Sequence, residues 1–180
     1  MQDEKAFIGE LLNAKTRDRA FRQLVSLYSK PLYSHIRNIV LNHDDTDDVL
    51  QNTFIKVYQN LNNFKGDSKL FSWMYRIATN EAITFINQRA KKSGISNEEL
   101  QQKAINNLQA DDYFEGDAIQ LKLQQAIAQL PEKQQLVFKM KYFEDLKYED
   151  ISEILGTSVG GLKASYHHAV KKIEDFISNH

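Results

Sequence analysis

Apolar side chains recur every three or four positions over residues 21–41, 49–61 and 70–89, the spacing of one face of an α-helix. Pro31 falls inside the first pattern and should kink or split that helix, because proline removes a backbone hydrogen bond. The stretch "NNFKGDSKLF" (residues 62–71) interrupts the period with turn-forming residues and is predicted to be a loop. We therefore expect a helical domain over residues 1–92, and the inner face of its third helix should carry Met74, Ile77, Ala78 and Phe85.

The helical period fades over residues 93–117, where glutamine, asparagine and acidic residues dominate. This composition predicts a flexible linker with, at most, a transient helix in its middle. The period returns at residues 119–130, and Pro131 suits the first turn of the next helix because its missing N–H costs nothing there. The predicted fold class is all-α, with a second helical domain over residues 118–180.

The last segment predicts a helix-turn-helix: a short helix at Tyr148–Leu155, a turn at Gly156–Ser158 and a longer helix at Val159–Ile177. Ser158 is placed to cap the second helix. The two glycines that follow it are poor helix formers, but they would let the first turn approach a phosphate closely. The inward-facing residues should be Ile151, Ile154, Leu155, Leu162, Tyr166, Ala169, Val170 and Ile173.

Composition narrows the class of protein. The 180 residues carry 42% hydrophobic side chains and include no cysteine, which allows sizeable cores and excludes disulfides and thiolate metal sites. The amino-terminal stretch has neither a basic region nor a long apolar run, so we expect no signal peptide and a cytoplasmic protein. The net charge is −1, but the charges are unevenly distributed along the chain. Residues 21–92 of the first domain sum to +4, whereas residues 93–117 of the linker sum to −5.

The stretch "NHDDTDDVL" (residues 42–50) concentrates four aspartates before a helix. They could cap the helix and interact with its dipole, or form an acidic surface for a basic partner. Asp44, Asp45 and Asp48 also fit a DDxxD magnesium pattern of prenyl diphosphate enzymes, but a second acidic motif and a larger bundle are missing. An EF-hand is disfavoured because the closing glutamate position holds Ile55 or Lys56. We expect no metal, cofactor or catalytic residue.

Two long motifs resemble the sigma-70 family of bacterial RNA polymerase sigma factors. Residues 44–83, "DDTDDVLQNTFIKVYQNLNNFKGDSKLFSWMYRIATNEAI", resemble region 2, and residues 130–173, beginning "LPEKQQLVFKMKYFEDLKYEDISEILG", resemble region 4. The short chain without a further domain between them resembles the extracytoplasmic function (ECF) group, and the "VGGLKASYHHAVKKIE" version resembles Bacteroidetes members. The resemblance implies a promoter-specificity subunit and not an enzyme. Its implied partners are core RNA polymerase, promoter DNA and an anti-sigma factor, with no membrane insertion and no small-molecule substrate.

The resemblance also implies three binding surfaces. Core polymerase should contact Asp45, Asp48, Val49, Gln51, Asn52 and Phe54. Unstacked bases of the −10 promoter element should contact Phe64, Lys65, Gly66, Asp67, Ser68, Phe71, Trp73, Tyr75, Arg76 and Asn80, where aromatic rings can stack bases and cations can follow the backbone. The duplex −35 element should contact Ser158, Gly160, Gly161, Lys163, Ser165, His167, His168 and Lys171.

Each surface has a plainer alternative. Aromatic side chains pack in cores more often than they bind ligands, and Phe71, Trp73 and Tyr75 cannot all share one helix face. Many family members carry an acid where this chain has Val159 and arginines at Ser165 and His168, so the −35 sequence preference is open. A stand-alone helix-turn-helix regulator that binds DNA as a dimer is the alternative function.

Overall fold

The computed structural model describes residues 4–110 and 116–179, and every regular element within these ranges is helical. Residues 111–115 of the predicted linker, and the outermost ends of the two predicted domains, lie outside the described residues. The α-helices in chain order are α1 (Glu4–Leu12), α2 (Arg17–Val40), α3 (His43–Asn60), α4 (Leu70–Ser93), α5 (Asn97–Asn106), α6 (Ala118–Ala128), α7 (Glu132–Tyr142), α8 (Tyr148–Leu155) and α9 (Val159–Asn179).

Helices α1 to α4 form the first domain around side chains that the helical spacing predicts. Leu24, Met74 and Ala78 are fully buried, whereas Ile77 and Phe85 on α4 are half-buried. Burying one leucine side chain stabilises the fold by about 1.5–3 kcal/mol, so these rows hold α2, α3 and α4 together. Helices α2, α3 and α4 thus lie where the apolar spacing predicts helices, and the bounds 1–92 of the first domain stay a prediction.

Helix α2 runs through Pro31 without a break, so the predicted split is wrong. Proline cannot donate to the carbonyl of Leu27, four residues earlier. Both Pro31 and Leu27 are exposed, on the side of α2 where water can satisfy that carbonyl. The missing hydrogen bond therefore costs less than it would in the core.

The linker differs from the sequence prediction, because part of it is a packed helix. Ser96 caps α5 by accepting from the backbone N–H of Glu99, whose carboxylate accepts in return from the N–H of Ser96. Ile105, at the end of α5, and Leu108 are buried against Leu41. Helix α2 ends at Leu41, whose φ of 66° lies in the left-handed region that leucine seldom adopts. The Leu41 side chain is nevertheless buried.

Helices α6 to α9 form the second domain, with the helix-turn-helix where the sequence predicts it. Helix α8 spans the predicted Tyr148–Leu155, and Gly156 ends it at a φ of +66°, a conformation that glycine adopts without strain. The Ser158 hydroxyl accepts from the N–H of Gly161 at 3.2 Å, as expected of a cap. Helices α8 and α9 pack together through buried side chains, which are Ile151, Ile154 and Leu162.

The two domains share one apolar core, which the sequence does not predict. Ile36 and Val40 of α2 lie in the same buried cluster as Val137 and Met140 of α7 and Ile151 of α8. A buried polar contact crosses the same boundary, where Nδ1 of His35 lies 2.9 Å from Oε1 of Glu144. The described structure is therefore a closed arrangement, in which the second domain packs on the first.

Candidate polymerase-binding and DNA-binding surfaces

One face of α3 is polar, exposed and accessible in the closed arrangement. Asp48, Gln51 and Asn52 are exposed and share this face because they are three and four residues apart. Ile55 continues the same face and is 53% exposed, which is high for an isoleucine. Ile55 is not among the residues that the family resemblance implies, although its spacing from Asp48 and Gln51 places it on the same face. We call Asp48, Gln51, Asn52 and Ile55 the α3 face.

Two residues predicted to contact polymerase pack against the interior of the domain. Val49 is 1% exposed, and Phe54 is half-buried with its ring centroid 6.3 Å from that of Phe21. Val49 offers no open surface and Phe54 only part of its ring, because both positions fall on the side of α3 that faces α2 and α4. The family-like pattern thus mixes packing residues with surface residues.

Asp45 lies at the junction between α3 and α4. Its carboxylate forms an ion pair with Arg89 of α4, and its backbone N–H donates to the Asn42 side chain at 2.9 Å. Burial raises the pKa of Asp45, and the Arg89 guanidinium opposes that shift. Asp45 therefore ties α3 to α4. Within residues 4–110 and 116–179, no group of three or more acids or histidines is arranged to hold a metal ion.

The predicted −10 residues divide into a packed set and an exposed set. Phe64 and Tyr75 are buried, at 7% and 3% exposure, so neither ring offers a face to an unstacked base in this arrangement, and their base-contacting role stays a prediction. Phe64 packs 5.1 Å from the ring of Trp73, and Tyr75 packs 4.1 Å from that of Phe71. Burial also raises the pKa of Tyr75 well above its usual range. The exposed set is Lys65, Gly66, Asp67, Arg76 and Asn80, whereas Ser68, Phe71 and Trp73 are half-buried.

Helix α8 covers the beginning of α4. Nζ of Lys69 lies 2.6 Å from Oδ1 of Asp150, and this hydrogen bond raises the pKa of Lys69. The backbone N–H of Lys69 donates to a carboxylate oxygen of Glu153 at 3.3 Å. The guanidinium of Arg76 donates to the backbone carbonyl of Glu153. Two cations beside the predicted −10 surface thus already bind oxygen atoms of the second domain.

The outer face of α9 remains open. Lys163, His167, His168 and Lys171 are exposed, and the Lys163 ammonium lies 5.8 Å from the centre of the Tyr148 ring. Packing favours glycine at position 161, because the Cβ of any larger residue would lie 3.2 Å from the Ser158 hydroxyl. Gly160 has open space around its Cα, so packing does not explain that glycine. Ser158 is exposed, and Ser165 is half-buried.

Comparison with known proteins identifies the family. A model of sigma-70 region 2 matches residues 24–92, and a model of sigma-70 region 4 matches residues 120–173. The RNA polymerase sigma-H factor of Pseudomonas aeruginosa is 31% identical over 164 residues, which cover 87% of this chain and 85% of that protein. The chain belongs to the sigma-70 family. This sigma factor is in the ECF group, since two further relatives carry that designation.

Those relatives match over most of their length. The ECF sigma-E factor of Haemophilus influenzae is 30% identical over 88% of both chains. SigW of Bacillus subtilis is 31% identical, covering 82% of this sigma factor and 83% of the relative. The sequence-based identification is thus confirmed for the family and the ECF group, while the Bacteroidetes likeness stays a prediction.

Solved structures share the fold. CnrH, in complex with the cytosolic domain of CnrY, superposes with a TM-score of 0.70 at 20% identity and covers 98% of this sigma factor and 97% of its own chain. The sigma factor RpoE of Bartonella quintana, in complex with the anti-sigma factor NepR, gives a TM-score of 0.64 at 18% identity, over 88% and 96% of the chains. The all-α, two-domain fold class is therefore confirmed.

The family defines the activity of this protein in general terms. It is a transcription initiation factor that directs RNA polymerase to promoters. A stand-alone helix-turn-helix regulator would need only the second domain, and the region 2 match over residues 24–92 excludes that alternative. In the part of the chain that the structure describes, no helix is long and apolar enough to cross a membrane.

Proposed function

We propose that the sigma factor binds core RNA polymerase through the α3 face. The observation that carries this proposal is that Asp48, Gln51 and Asn52 point outward together, beside an exposed isoleucine, within the region 2 match. An apolar side chain that becomes buried supplies affinity, and neighbouring charges orient and accelerate association. Asp45, Val49 and Phe54 support this face from behind, since they pack or pair inside the domain.

Replacing Asp48 with arginine is expected to weaken core binding by roughly ten-fold, because charge reversal puts a cation where a basic partner docks. The measurement is a titration of labelled sigma factor with core polymerase. The control is Glu174→Arg, since Glu174 is an exposed acid on α9, in the other domain. Equal core affinity for Asp48→Arg and the unchanged protein would remove the α3 face from the interface.

The two DNA-binding roles are assigned to different domains. The first domain would contact the unpaired −10 strand through Lys65, Lys69, Arg76 and Asn80, with Trp73 as the half-buried aromatic available for stacking. The second domain would place α9 in the major groove of the −35 element. Because α8 engages Lys69 and Arg76, the domains must separate there before the −10 strand binds.

Replacing Lys163 with glutamate is expected to lower affinity for duplex −35 DNA by roughly ten-fold and to reduce its salt dependence by about one phosphate contact. Core binding should not change, because Lys163 lies in the second domain, away from α3. The control is Lys172→Glu on the same helix, whose Nζ hydrogen-bonds to Gln134 at 3.2 Å. A fluorescence anisotropy titration would measure both variants. Undiminished duplex affinity for Lys163→Glu would contradict the assignment of α9.

An anti-sigma factor is the expected regulatory partner. The two structures that share the fold are, by their descriptions, complexes with the cytosolic domain of CnrY and with the anti-sigma factor NepR. The proposal also places this protein in the cytoplasm, where its polymerase works, and assigns it no reaction of its own.

A further inference from the structure

A cavity of about 750 Å³ lies where the two domains and the linker helix meet. Its walls come from the end of α2, the start of α3, α4, α5, the end of α6 and α7, so both domains and the linker contribute to it. This volume is within the range of pockets that hold small ligands, roughly 300–1,000 Å³. Apolar side chains that line it include Ile39, Ile86, Leu100, Ala104, Leu130 and Leu136.

One charged side chain on this wall is buried. Lys139 of α7 lines the cavity and is 3% exposed. Burial alone lowers the pKa of Lys139 to about 8, from an ordinary value of 10.5. Within residues 4–110 and 116–179, no hydrogen bond or ion pair engages its ammonium, and the Nζ atom is not fully sealed from solvent. A largely buried cation without a partner is costly, and an anion placed beside it would offset that cost.

We propose that this cavity binds a small amphipathic carboxylate of the fatty-acid type, with its carboxylate against Lys139 and its hydrocarbon chain against the aliphatic wall. A single negative charge fits best, because the four acids on the wall (Asp44, Asp45, Glu98 and Glu132) outnumber the three cations (Arg89, Lys103 and Lys139), and this excess disfavours a phosphate or other dianion. Asp45, the fourth acid there, is already paired with Arg89.

Such a ligand would favour the closed arrangement. It would contact α4 and α7 at once, and any ligand that binds one arrangement better than another shifts the population toward it. Separation of the domains would dismantle the cavity, since its walls belong to both. The ligand therefore acts as a co-inhibitor of promoter binding, a role that goes beyond the initiation function proposed above.

The test compares decanoate with decanol, which have the same hydrocarbon chain and differ in the charged head. Isothermal titration calorimetry on the full chain, below the micelle and solubility limits, is expected to give roughly ten-fold tighter binding for decanoate. Lys139→Met should bind the two probes equally. Lys133→Met, an exposed lysine replaced on the same helix, should keep the preference. Equal affinities in the unchanged protein, or a preference retained by Lys139→Met, would overturn the proposal.

A second variant leaves Lys139 in place. Ala104→Phe puts a ring into the cavity from α5, and it should abolish binding of both probes while the lysine stays available. Decanoate that still bound Ala104→Phe with unchanged affinity would lie elsewhere on the molecule, and the cavity would lose its assignment. Neither titration contains polymerase or DNA, so a negative result leaves the initiation function as it stands.

Discussion

Glu144→Ala is expected to open the closed arrangement. His35 is 1% exposed, with its Nδ1 2.9 Å from Oε1 of Glu144 and its Nε2 2.8 Å from the Thr79 hydroxyl. Removing the carboxylate leaves a buried ring nitrogen without its partner, which costs about 1–3 kcal/mol, or 3–5 kcal/mol where the pair is ionic. Opening returns His35 to water and limits the loss, so we expect a shift of about 2–3 kcal/mol, roughly 30- to 150-fold in the closed-to-open ratio.

Fluorescence energy transfer would measure this shift. The chain has no cysteine, so single cysteines introduced at the exposed positions Gln59 and Asp175 would label each domain without side reactions. Glu144→Ala should lower transfer and raise affinity for a single-stranded −10 oligonucleotide. Glu149→Ala, at an exposed acid on α8, is the control. Unchanged transfer in Glu144→Ala would mean that the His35–Glu144 contact does not hold the domains together.

Lys139→Met is expected to have the opposite effect and to favour the closed arrangement. Burial lowers the pKa of Lys139 from its ordinary value of 10.5 to about 8 in the closed arrangement. Each pKa unit corresponds to about 1.4 kcal/mol, so the buried charge opposes closure by up to about 3 kcal/mol at neutral pH, the full amount applying when opening exposes Lys139 completely. Methionine has a similar length and carries no charge, so this opposition should disappear.

The pH dependence follows from the same shift. A lysine pKa lowered by closure means that closing releases a proton between about pH 8 and 10.5, so closure strengthens as the pH rises through that window. In the unchanged protein, energy transfer should increase from pH 7 to pH 9. In Lys139→Met it should be high at both values. The same rise with pH in Lys139→Met as in the unchanged protein would show that another group controls closure. Lys133→Met is the control here as well.

The helices were largely predictable because local spacing decides them. The spacing of apolar residues predicts where α8 begins and ends, and the residues of the turn predict the cap at Ser158. Both signals depend only on residues that are close together in the chain. Pro31 was misjudged because the cost of a proline depends on whether water reaches the freed carbonyl, which is a tertiary property. The α5 helix was underestimated for a related reason. Its burial depends on Leu41, more than 60 positions before Ile105.

The binding surfaces were predictable only in part. The family-like pattern includes the buried residues Val49, Phe64 and Tyr75 together with exposed residues, and the sequence alone does not separate the two groups. An aromatic residue that packs in the core and one that stacks on a base are the same residue type, so only the tertiary structure distinguishes them. Contact between the domains was out of reach. His35 and Glu144 are 109 positions apart, and nothing local in either segment indicates the other.

Run-off transcription with purified core polymerase tests the central claim most directly. The claim is that this chain, alone with core, starts transcription at its own promoters by using the α3 face and both DNA-binding surfaces. The unchanged sigma factor is expected to give discrete transcripts from a genomic promoter library. Asp48→Arg should give far fewer transcripts because its core binding is weaker, and Lys163→Glu should give far fewer although it binds core as tightly as the unchanged protein. Core polymerase that yields no discrete transcript with the unchanged protein, despite forming a stable complex with it, would contradict the account.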